Sequence, residues 1–167
     1  MRKLIIIVSL VLFPSLVFAG SLGFRDIKMG MTKDELHKFV DASNCMPDSQ
    51  GSFCTDKAKI NDVNVDVYYS MNDKEVLDLI WLSFYNHFYD ELKDALTEKY
   101  GRKYKCSQSV VQNRMGAKFM NEYCEWELKK GIVYIDKYGL DIEKGTIAIK
   151  DYSYFKRIKK KKQGKGF

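Results

Sequence analysis

The sequence predicts an α+β fold in which two helices pack on an antiparallel sheet. Residues 78–101 carry most of this prediction. Leu79, Ile80, Trp81, Leu82 and Phe84 form an apolar run of strand length, rich in β-formers. From Asn86 the period changes: Phe88, Leu92, Ala95, Leu96 and Lys99/Tyr100 share one helical face, with Asp90, Glu91, Lys93, Asp94 and Glu98 opposite. A second observation is the strict alternation of Val63, Val65, Val67 and Tyr69 with Asn64, Asp66 and Tyr68, the mark of a half-buried strand. The third is the order of elements, helix, strands, helix, strands, which fits two α-plus-β-meander units in tandem.

Residues 1–19 read as a secretory signal peptide. Arg2 and Lys3 give a basic start, residues 4–13 are apolar except Ser9, Pro14 breaks the run, and Val17-Phe18-Ala19 suits cleavage after Ala19. The run is shorter than the ~20 residues a membrane span needs. Gly20 rather than cysteine follows the cut, so neither a lipid anchor nor a transmembrane span is expected after cleavage. Residues 20–155 are then one α+β domain and residues 156–167 a basic, disordered tail.

Residues 24–28 suit a short alternating strand anchored by Phe24 and Ile27. Thr32 and Glu35 then make an S/T-x-x-E capping box, with Leu36, Phe39 and Val40 as the apolar face of a first helix. Residues 41–52 read as a polar loop around Pro47 and Gly51. The strand beginning at Val63 should form a hairpin with residues 76–84 through the turn chemistry of Met71-Asn72-Asp73. In the second helix Asn86 is the expected N-cap, and Gly101 supplies the stop. Residues 104–111 and 119–128 should be strands joined at Asn113–Gly116, followed by strands over 132–138 and 146–152.

Four cysteines in an exported chain read as two disulfides. Cys45–Cys54 and Cys106–Cys124 are the expected pairs, because each lies within one supersecondary unit. There is no C-x-x-C pair, and the two histidines, His37 and His87, do not stand at zinc-site spacing from the cysteines. No metal or other cofactor is expected.

Charge is unevenly placed. Lys156, Arg157, Lys159, Lys160, Lys161, Lys162 and Lys165 crowd the last twelve residues, where there is no acid. The body, 20–155, has 19 basic and 22 acidic residues and is net −3. The sequence pI of about 9.0 therefore belongs to the tail, which argues against a nucleic-acid groove. The tail is expected to remain solvated and extended, serving either solubility alone or loose attachment to an anionic envelope surface.

The Gly30-Met31-Thr32-x-x-Glu35-Leu36 helix start resembles that of the small lipoprotein of the outer-membrane β-barrel assembly machinery. More of the chain resembles a group of uncharacterised exported proteobacterial proteins. These share the same helix start, the Leu96-Thr97-Glu98-Lys99-Tyr100-Gly101 helix exit, and the run from Gln112 to Ala117 leading to Asn121, Glu122 and Trp126. The tandem arrangement of helix and meander resembles the β-lactamase-inhibitor type of fold. These resemblances imply an exported α/β module of the bacterial envelope.

No G-x-S-x-G, no H-E-x-x-H and no phosphate-cradling loop occurs in the sequence. The carboxylate pairs Asp34/Glu35 and Asp90/Glu91 are accounted for by helix N-termini. What stands out is the aromatic load, eleven Tyr, ten Phe and two Trp. Tyr68, Tyr69, Tyr85 and Tyr89 are candidates for a binding face, since such rings offer large contact area with few rotors. Arg114 is expected to pair with Glu122 and fix its hairpin, the alternative being that it joins the binding face. The expected function is binding of an envelope protein or surface; the alternatives are a secreted enzyme inhibitor, or an enzyme whose site no motif marks.

Overall fold

The computed structural model describes residues 22–48, 51–139 and 142–164, with side chains to residue 159. The signal-peptide expectation for 1–19 lies outside these residues. The fold is α+β but mostly sheet. A two-residue hairpin, β1 (Gly23–Phe24) and β2 (Ile27–Lys28), leads into α1 (Lys33–Leu36). Four strands follow: β3 (Cys45–Asp48), β4 (Gly51–Ile60), β5 (Val63–Met71) and β6 (Leu77–Tyr85). Next come α2 (Tyr89–Tyr100) and four more strands, β7 (Lys105–Gln112), β8 (Lys118–Leu128), β9 (Gly131–Asp136) and β10 (Lys144–Asp151). The helix α3 (Tyr152–Gly164) ends the described chain.

The eight strands β3–β10 form one antiparallel sheet in the order β3-β4-β5-β6-β10-β9-β8-β7. Each half of the chain is thus a helix followed by a four-stranded meander, and the last strands of the halves meet at the centre. There Ile80, Leu82 and Phe84 of β6 stand opposite Ile149, Ile147 and Gly145 of β10. Gly145 permits this approach, since a Cβ at that position would lie 2.3 Å from the Phe84 ring. Period-2 geometry then sorts the strands into two faces. Val65, Val67, Tyr69, Ile80, Leu82, Ile147, Ile149, Val133, Ile135 and Trp126 form the core face, beneath Leu36 of α1 and Tyr89, Leu92 and Leu96 of α2.

The capping box at Thr32 forms as its residues predict, both halves present. The helix it starts is only four residues long, and Phe39 is exposed rather than core. Lys33 instead ties α1 to the turn before β6 through Glu75, at 2.9 Å. Residues 24–28 are a hairpin with Arg25-Asp26 at its turn, not one strand. The segment expected to be a loop contains β3, whose side chains from Met46 to Asp48 are exposed, so it carries no alternation to read. Asn86 does not cap α2. It begins a single 3-10 turn, and its side chain donates to the Ile142 carbonyl. Gly101 does end the helix, at φ +90°, where a side chain would be strained. Trp126 Nε1 donates to the Gly101 carbonyl at 2.8 Å and fastens that end to β8.

Both disulfides form as paired: Cys45 with Cys54 and Cys106 with Cys124, each between residues directly opposite on neighbouring strands. They point to an oxidising, extracellular or periplasmic environment.

The C-terminal tail is corrected most. Residues 156–164 continue α3 rather than extending from the domain, so the boundary at 155 falls inside a helix. The physical reason is a stripe at helical spacing made of Tyr154, Arg157 and Ile158, all half-buried. Arg157 occupies an apolar slot because it has a buried partner, Asp78 Oδ1, at 2.7 Å. Tyr154 and Phe155 flank Lys150 of β10, whose ammonium lies 5.3 and 5.9 Å from their ring centres. Among the seven tail bases, Lys156 and Lys159 are exposed. Lys160, Lys161 and Lys162 lie where side chains are not described, and Lys165 lies outside the described residues.

Candidate functional site

The face of the sheet opposite α2 carries two in-register rows. One runs Thr55–Tyr68–Trp81–Ala148–Tyr134–Glu125–Lys105 across seven strands. The other runs Lys57–Asp66–Ser83–Thr146–Asp136–Tyr123. Cross-strand neighbours on one face lie within contact distance, so rings in a row pair. Tyr68 and Trp81 have ring centres 4.9 Å apart, and Tyr123 and Tyr134 5.2 Å. Ala148, between Trp81 and Tyr134, is fully buried, and Tyr154 and Phe155 of α3 lie over Lys150, two residues along β10 on the same face.

Two adjoining depressions open over the β4–β5–β6 part of this face. One, about 470 Å³, is lined by Asn44, Thr55, Tyr68 and the Lys57/Asp66 pair. The other, about 350 Å³, shares Lys57 and Asp66 and adds Asn64, Ser83, Tyr85 and Lys144. Lys57 and Asp66 are opposite in register, yet they are not among the three ion pairs of the described residues, so both charges remain open to a ligand. Tyr85 is 55% exposed, with the Lys144 ammonium 5.8 Å from its ring centre.

Of the residues singled out by sequence, Tyr68 and Tyr85 line these depressions, one in each. Tyr69 and Tyr89 do not. They are 1% and 2% exposed and belong to the core, where burial raises both hydroxyls above their ordinary pKa. The alternation that put Tyr69 in step with Val65 and Val67 already carried that information. Trp81, Lys57, Asp66 and Lys144 were missed; Trp81 was assigned to the buried run, and the three charges are unremarkable until register aligns them.

Arg114 is exposed on the β7–β8 turn and is not the partner of Glu122. The register sets Gln108 opposite Glu122, about four residues, or ~13 Å, from the turn. Glu122 is held instead by α2: Lys93 Nζ lies 2.6 Å from Oε1, and the Tyr89 hydroxyl donates to the same oxygen at 3.1 Å. Gln108 Nε2 donates to Oε2 at 3.4 Å. The Lys93 bond, then Tyr89 and Gln108, hold the Glu122 carboxyl below its ordinary pKa against some desolvation, and Glu122 raises that of Lys93.

Two groups of metal-ligand residue types converge among the described residues, His37 with Cys45 and Cys54, and Glu122 with Cys106 and Cys124. In each, the two sulfurs are bonded to one another and offer no thiolate. No helix of the described residues is long and apolar enough to cross a membrane.

Comparison with protein-family models, with curated proteins and with solved structures finds no match to this chain.

Proposed function

We propose that this is an exported protein of the bacterial envelope, periplasmic in setting, that acts by binding a partner protein on the open face of its sheet. The observation that carries this reading is the pair of adjoining depressions that share Lys57 and Asp66 and are flanked by Tyr68, Trp81 and Tyr85. Wide, shallow hollows with rings beside unpaired charges suit a protein surface better than a small molecule, which prefers a deeper apolar pocket. The two disulfides favour the compartment. The two helix-plus-meander halves favour an enzyme as the inhibited partner, since that is what the β-lactamase-inhibitor resemblance implies. An anionic envelope surface is the second reading, supported by the exposed Lys156 and Lys159 of α3.

Photo-crosslinking decides between these readings. A crosslinker in place of Tyr68 or Tyr85 should capture the same envelope protein, and one in place of Met120, on the far hairpin, should not. Lys57→Glu with Tyr68→Ala should weaken that complex about tenfold or more. Equal capture from all three positions would remove the open face as the binding site. Sedimentation with anionic vesicles at low salt, abolished by Lys156→Gln with Lys159→Gln, would favour the surface reading instead.

A further inference from the structure

On the opposite side of the sheet a cavity of about 250 Å³ lies beneath the C-terminal half of α2. Its floor is Leu82, Ile147 and Ile149 of the two central strands, and its wall is Ala95 and Leu96 of α2. The β1–β2 hairpin closes one side with Phe24 and Arg25, and the end of β4 contributes Lys59 and Ile60. The lining is almost wholly apolar except at the rim, where the charge is of one sign. Lys99 Nζ donates to the Gly23 carbonyl at 2.9 Å, as does the Tyr100 hydroxyl. The Arg25 guanidinium donates to the Lys59 carbonyl at 3.2 Å. These cations meet neutral carbonyl oxygens, and among the described residues none of the three ion pairs involves them. The carboxylates of α2 nearest in sequence, Glu91, Asp94 and Glu98, are exposed on its outer face. Asp56 acts on Tyr69 together with Arg25 but is not paired with it. Burial alone lowers the pKa of Lys99, and no carboxylate offsets it.

An apolar slot with a cationic rim is complementary to one kind of ligand, an aliphatic chain ending in a carboxylate. The volume falls below the roughly 300–1,000 Å³ of sites for drug-sized molecules, which favours a single chain over a ring system. We propose that this cavity binds a free medium-chain fatty acid, its chain lying against Leu82, Leu96 and Ile147 and its carboxylate at Arg25 and Lys99. The site is separated by the whole sheet from the open face, so it stands or falls independently of the partner-binding reading.

The test is calorimetric titration of the disulfide-intact protein with hexanoate, octanoate, decanoate and dodecanoate, each below its micelle concentration. Each pair of added methylenes that enters the slot should tighten binding more than tenfold, at about fourfold per methylene, until the slot is full and the gain stops. Decanol should bind at least tenfold more weakly than decanoate. Arg25→Gln with Lys99→Gln should remove that preference while leaving decanol unchanged. Ala95→Phe, which fills the slot from the helix, should abolish binding with the thermal midpoint kept. No binding of any acid to the unaltered protein, affinity that ignores chain length, or equal binding by Ala95→Phe would overturn the proposal. Equal affinity for decanol and decanoate would overturn the role given to the cations.

Discussion

Two helices are fastened to the sheet by an ion pair, and the pairs differ in everything but charge. At α2, Lys93 meets Glu122 where both side chains keep contact with water, 22% and 24% exposed. Glu122 has further donors in Tyr89 and Gln108, so each oxygen is satisfied. At α3, Arg157 meets an Asp78 side chain that is 1% exposed. Asp78 stands where the β5–β6 register slips by one residue, and its Oδ2 has no hydrogen-bond partner among the described residues. The first carboxyl is held below its ordinary pKa by its donors. The second is pushed up to about 6 by burial, which outweighs the pull of Arg157, with Asp151 and Asp73 adding repulsion. A donor-rich site stabilises the carboxylate, whereas a dry site with one donor does not. Having an opposite charge nearby does not by itself decide the sign.

The sharpest way to break the comparison is to remove each cation in turn. Arg157→Ala leaves a buried charge uncompensated and should cost about 3–5 kcal/mol in urea unfolding. Asp78→Asn with Arg157→Met should return most of that loss, because the dry site does not require a charge. A single substitution costing under about 1 kcal/mol would mean that the pair is solvated and the contrast between the helices is not real.

Lys93→Met should cost less, about 1–2 kcal/mol, because water and Tyr89 can still serve Glu122. A double-mutant cycle of Lys93→Met with Glu122→Gln should show coupling of about 1 kcal/mol. The cycle of Arg114→Gln with Glu122→Gln should show none, and coupling there would restore the hairpin pair that the register removes.

Which of these contacts could be read from sequence follows from how local they are. The alternation of β5, the capping box and the two disulfides are set by residues within one unit, and each was legible. Even the error at Arg114 was avoidable. A turn over Asn113–Gly116 puts Glu122 opposite Ser107, one residue from its observed partner Gln108, and in either register well back along β7 from Arg114. Lys93 was not legible as its partner, because only the packing of α2 on β8 brings it there. α3 failed for a different reason. Its docking stripe spends one position on Arg157, and an arginine reads as solvated unless its buried acid, 79 residues away, is known. The open-face depressions were half legible. Tyr68 and Tyr85 come from composition, but Lys57 and Asp66 gain meaning only from register.

The smallest effect separates the two sites most cleanly, because it has opposite signs. Asp78 holds its proton more tightly in the folded chain, up to about pH 6, than in the unfolded chain, near 3.9. Its contribution to stability is therefore fully present below about pH 4 and is lost as pH rises through 6. Glu122, with its folded pKa depressed, contributes stability above its unfolded value near 4.3 and loses it as pH falls through the lower folded value. Acidifying from pH 7 to 5 should then stabilise the protein through Asp78 by about 1 kcal/mol, or about 3 °C in thermal midpoint, before Glu122 begins to protonate. Below about pH 4 the trend should reverse, as Glu122 gives up its charge. Comparison of the unaltered protein with Asp78→Asn across this range isolates the first effect, and comparison with Glu122→Gln isolates the second. A gain between pH 7 and 5 that survives Asp78→Asn would assign it to another group, and would leave the α3 anchor no drier than that of α2.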